Sequence, residues 1–76
     1  MRRFRDRTGM LWDVVLGRES WGASVALFVP DGEGRVRQSA LKSVAYDAAI
    51  RELDTMDEIE LQTLLDRSTP KEDTAG

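Results

Sequence analysis

Asp6 and Asp13 flank a short turn, Arg7-Thr8-Gly9, and two carboxylates that approach across a turn are suited to general acid and base work. Their setting argues for a plainer role, because polar residues beside a tight turn are ordinarily solvated. Other usual parts of a catalytic site are missing from the sequence. It has no histidine to move protons and no cysteine to act as a nucleophile. The same two absences remove the common ligands of zinc, haem and most transition metals, so neither a metal nor a cofactor is expected. These residues describe a protein that is not an enzyme.

Three shorter patterns also invite a chemical reading. Ser39-Ala-Leu-Lys42 has the Ser-x-x-Lys spacing of penicillin-recognising acyl enzymes, but that motif works at the start of a helix inside a much larger scaffold. Gly32-Glu-Gly34 lacks the third glycine and the following helix of a phosphate cradle, and is expected to be a hairpin turn. Asp54, Asp57, Glu58 and Glu60 could gather a hard cation, yet carboxylates at a helix start are already favoured by capping and by the helix dipole.

Charge is unevenly distributed along the chain. Residues 1–42 hold eight Arg or Lys against five Asp or Glu, and residues 43–76 hold three against nine. Arg3, Arg5, Arg35 and Arg37 could form a basic stripe on a sheet, with Trp21 or Phe28 offering a surface on which bases stack. Against that, the isoelectric point is about 4.8, far below the values above about 9 expected of committed nucleic-acid binders. Nucleic-acid binding through those four arginines is therefore the alternative, and protein binding the leading expectation.

Trp21, in Gly17-Arg-Glu-Ser-Trp-Gly22, is the most conspicuous candidate contact. Its ring has two possible uses. It can fold back as a lid on one end of a sheet, or it can anchor a partner together with Arg18, since Trp and Arg are enriched among the residues that dominate interfaces. Phe28 is the third expected contact residue.

The elements that would position these residues follow from periodicity. Residues 2–6, 10–16, 23–29 and 35–41 carry strand patterns separated by short turns, which predicts a four-stranded antiparallel meander. Strand parity groups Met10, Trp12, Val14 and Leu16 on one face, with Val25, Leu27 and Val29 placed beside them. Leu11, Val15, Ala26 and Phe28 are then expected on the other face with Arg3, Arg5, Arg35 and Arg37. The period changes to 3.6 after Ser43, predicting helices over 43–54 and 57–67. Ser43 is the expected first cap, Asp57 and Glu60 form a capping box, and Met56 staples against Leu61. Ile59 falls off the Leu61, Leu64 and Leu65 stripe and should be exposed. Strands followed by helices predict an α+β domain over residues 1–67, its two short helices packed on one face of the sheet, with 68–76 as a disordered tail.

Phe4 to Val14, Phe-Arg-Asp-Arg-Thr-Gly-Met-Leu-Trp-Asp-Val, together with Gly17 to Gly22, resembles the opening third of small bacterial α+β proteins of unknown function. That resemblance implies a bacterial origin and a compact domain, and assigns no activity to any residue. Nowhere do the apolar residues run long enough to cross a membrane, and no signal peptide is evident, so a cytoplasmic protein is expected. With no disulfide possible, a domain of 76 residues has a partner surface as its remaining means of stabilisation. The expected partner is another protein or a second copy of the chain, met through the sheet face that the helices leave bare.

Overall fold

Asp6 organises the first turn of the protein, in a computed structural model that describes residues 2–18 and 22–71. Its Oδ1 accepts hydrogen bonds from the Thr8 amide (2.9 Å), the Thr8 hydroxyl (2.7 Å) and the Met10 amide (3.0 Å). Gly9 completes the turn at a φ of 92°, where a side chain would be strained. The turn joins β1 (Arg2–Arg5) to β2 (Leu11–Arg18) as an antiparallel hairpin, with Phe4 opposite Trp12.

The meander continues through β3 (Ser24–Pro30) and β4 (Arg37–Ala40). Two helices follow, α1 (Tyr46–Thr55) and α2 (Glu58–Arg67), and then β5 (Thr69–Pro70) returns to pair with β4. The sheet is thus five-stranded in the order β1-β2-β3-β4-β5, one strand more than the sequence pattern predicts. Ser68 to Lys71, expected to begin a disordered tail, belong to the fold. Apolar content gave no sign of this because polar groups do the anchoring. The Arg37 guanidinium donates to the Ser68 hydroxyl (2.8 Å) and carbonyl (2.7 Å), and the Lys71 amide donates to the Val36 carbonyl (2.8 Å).

The helix starts separate a good cap from a poor one. α1 begins at Tyr46 rather than Ser43, with Ala45 at the cap position and no side-chain cap bond. The amides of Lys42 and Ser43 instead donate to the Glu52 carboxylate, at 3.1 and 2.9 Å, which holds them in the approach to the helix. α2 has the predicted capping box: Asp57 accepts from the Glu60 amide (2.8 Å) and Glu60 accepts from the Asp57 amide (3.2 Å). Met56 packs on the core, and Leu61, Leu64 and Leu65 are buried.

The core lies between the helices and one sheet face. Phe4, Trp12, Val14, Ala26 and Phe28 meet Leu53, Leu61, Leu64 and Leu65 there. Phe28 is fully buried at its centre, with the rings of Phe4 and Trp12 edge-on to it at centroid distances of 6.5 and 6.3 Å. Burying one such ring contributes roughly 1.5–3 kcal/mol before its edge-to-face contacts are counted. The indole N–H of Trp12 donates to Asp6 Oδ2 at 2.9 Å, so the tryptophan enters the core with its polar atom satisfied.

Here β3 departs from the expected parity. The β2–β3 ladder pairs Val14 with Phe28 and Leu16 with Ala26, so Ala26 and Phe28 face the helices. Val25, Leu27 and Val29 stand on the opposite face with Leu11, Asp13 and Val15. A nearly unbroken apolar strand has no alternation from which its parity could be read; the register across the β2–β3 connection decides it.

Candidate interaction surface

Both helices pack against the same face of the sheet, and among the described residues no helix covers the other face, on which Val25 alone of the apolar residues is buried. Its centre is formed by Leu11 and Val15 of β2, Val25, Leu27 and Val29 of β3, and Ala40 of β4. Leu11, Val15, Leu27 and Val29 are half-buried. Gly17 gives this surface its flatness. A Cβ placed there would lie 2.7 Å from Leu27 Cδ1, so the missing side chain is what lets Leu27 lie down across the strand.

Polar residues border the apolar centre. Arg3 donates to Asp13 at 3.1 Å and lies 3.9 Å from Asp31, and the Arg5 guanidinium donates to the Gly9 carbonyl at 2.9 Å. Gln38 is opposite Leu27 on the far side, with Thr69 beyond it. Such a face can bind by surface complementarity.

The expected site residues are dispersed. Phe28, predicted as a contact, is 0% exposed and belongs to the core, because β3 has the other register. Arg18 is exposed at the end of β2, its guanidinium carbon 5.7 Å from the centroid of the Tyr46 ring, a geometry suited to cation–π attraction. Trp21 lies outside the described residues. Arg3 and Arg5 occupy the open face as expected, and Arg35 is exposed between β3 and β4. Arg37 does not join them. The β3–β4 ladder pairs it with Phe28, which turns its side chain to the helix side, where it holds Ser68 at the end of α2. Arg2 likewise points to the helix side and donates to the carbonyls of Leu53 (3.1 Å) and Asp54 (3.4 Å), at the negative end of the α1 dipole.

The carboxylates are employed in the same structural way. Burial works against ionisation of Asp6, but its bonds from Thr8, Trp12 and Met10 outweigh that and lower its pKa from 3.8 to about 2. Glu52 is also partly desolvated, and the bonds from Lys42 and Ser43 bring its pKa below the ordinary value. Asp66 is lowered by bonds from Gln62 and from Arg7, whose guanidinium grips it with two bonds of 2.9 and 3.2 Å. All three shifts favour the charged form, whereas a general acid working near neutral pH needs its pKa raised. Asp6 and Asp13 are not a pair: Asp6 serves Trp12 on the helix side and Asp13 serves Arg3 on the open side. The basic and acidic halves of the chain therefore meet internally, most directly where Arg7 holds Asp66.

Three shallow grooves lie elsewhere. The largest, about 370 Å³, runs between β1 and α2 and includes Ile59, which is 77% exposed as its helical position predicts. The others flank α2 and the end of β4, and α1 and the outer edge of β2. Among the described residues no group of three or more metal-ligating side chains comes together, and no helix is long and apolar enough to cross a membrane. Comparison of the chain with family models, with curated proteins and with solved structures finds no match.

Proposed function

We propose that the chain is a small noncatalytic protein-interaction module, acting in the cytoplasm, whose contact surface is the open face of its sheet. The observation that carries this reading is the one-sided packing of the helices, which leaves Leu11, Val15, Leu27 and Val29 together on a flat face with a polar border. A contiguous apolar patch rimmed by polar residues is characteristic of surfaces that meet another protein. Leu27 takes the central position expected of Phe28, whereas Arg18, expected as a contact, has the strand parity of Val14 and Leu16 and lies over Tyr46 on the helix side, outside this surface.

Nucleic-acid binding has less support. Of the two arginines on the open face, Arg3 is paired with Asp13 and lies near Asp31 while Arg5 donates to the Gly9 carbonyl, and Arg37 is engaged with Ser68. A phosphate backbone needs unneutralised cations along its path.

A photo-crosslinking side chain at position 15 or 27, compared with one at exposed Arg51 on α1, tests the reading in cells that express the protein. Discrete adducts at 15 and 27 but not at 51 support it. Equal labelling at all three positions, or none at 15 and 27, refutes it.

A further inference from the structure

We infer that the occupant of the open sheet face is a second copy of this chain, the two sheets packing face to face so that a two-layer protomer becomes the outer half of a four-layer dimer. The inference rests on reading that face as a contact surface and adds the identity of the partner.

Shape is the first argument. Leu27 lies down over Gly17, and the three best-formed grooves are centred on the helices and the sheet edges rather than on this face, which is flat at its centre. A flat, twisted, apolar sheet is complemented by another sheet at a separation of about 10 Å, with strands nearly aligned. An identical face brings a matching twist and is always present at the protein's own concentration.

Size is the second. Strands about 4.8 Å apart and about 3.3 Å long per residue give the face a projected area on the order of 500 Å². Corrugation by side chains brings its accessible area to roughly the 600 Å² that marks the lower end of one side of a standard interface. The protein extends 34 × 33 Å across and only 19 Å through, so the broad dimension is the one on offer.

Charge is the third. Arg3 and Arg5 stand with Asp13 and Asp31 at the same end of the face, a balanced set that a second identical set does not repel. A strongly acidic or basic partner would find no matching field there. Association would also supply the stabilisation that small domains without disulfides or metals take from oligomerisation.

Sedimentation equilibrium of the full chain, from about 10 μM to about 1 mM, tests the inference. The expected result is a monomer–dimer equilibrium whose dissociation constant rises at least about 30-fold in Leu27→Lys, with the amide spectrum of that variant still dispersed. Should lysine prevent folding, Val15→Thr keeps the branched shape and the strand preference while placing a hydroxyl in the interface, and weakens association several-fold. A wild-type protein that is monomeric at about 1 mM overturns the inference, as does a dimer that both substitutions leave intact. Crosslinking at positions 15 and 27 separates this from the broader reading. A monomer whose face still crosslinks to a different protein ends the second-copy inference alone, and an unlabelled face ends both.

Discussion

Leu27 and Phe28 are adjacent in one strand and lie in different environments. Phe28 points into the layer under the helices, is fully buried and meets two aromatic rings; Leu27 points the other way, half-buried, onto a face that no helix among the described residues covers. The same contrast holds along β2 between Val14 and Val15. The side chains on the two faces are similar in kind, so apolarity by itself does not make a core. The covering layer does, and the described residues supply one helical layer for two apolar faces.

That contrast can be broken most severely from the core side. Phe28→Ala should destabilise the fold by about 3–5 kcal/mol, measured by urea unfolding, because the cavity it leaves is bounded by Phe4, Trp12 and the helix leucines. Leu27→Ala in dilute solution should cost less than half as much, and a loss equal to that of Phe28→Ala would mean the open face is covered within the protomer.

Asp6 supplies the next largest effect, because it ties the turn to a core residue. Its folded pKa of about 2 lies below the ordinary 3.8, so its contribution is present in full above about pH 4 and is lost as pH falls towards 2. Asp6→Asn should lower stability by about 1–2 kcal/mol at pH 7, allowing for partial solvent screening, and the gap from wild type should narrow below about pH 3. A gap that stays constant from pH 7 to pH 2 would show that the charge of Asp6 contributes nothing.

Removing the α2 cap with Asp57→Ala should cost about 1 kcal/mol, and should shift the thermal midpoint more than Ser43→Ala does, since Ser43 caps no helix. The smallest effect belongs to the border of the open face. Arg3→Ala should change monomer stability by less than about 1 kcal/mol, and that difference should fade in high salt, as expected of an exposed ion pair. An effect of several kcal/mol would place Arg3 in a role that its exposure does not suggest.

Much of the architecture is legible in the residues. Alternation marks β1 and β2, the change of period after Ser43 marks the helices, and Asp57 with Glu60 announces the start of α2 within one residue. What escapes is tied to contacts between distant segments. Nothing near Ser68 indicates that Arg37, thirty-one positions earlier, holds it in place and aligns β5. A signal for the role of Asp6 does exist in the Asp-x-Thr-Gly pattern, which favours a side-chain-to-backbone turn, although its bond to Trp12 becomes evident only in three dimensions. The candidate surface is half legible: its Leu11 and Val15 follow from β2, while its Leu27 and Val29 do not.

The sequence by itself determined the class of fold, the two helices, the exclusion of histidine and cysteine chemistry, and the existence of a second apolar sheet face. Each depends on local composition or on a repeat within one element, which a single segment carries whole. Tertiary structure alone decided which residues of β3 meet the helices, where Arg37 points and how the chain beyond α2 is used. Those outcomes depend on the register between strands, and a shift of one residue in an antiparallel ladder exchanges the faces of an entire strand without changing its sequence.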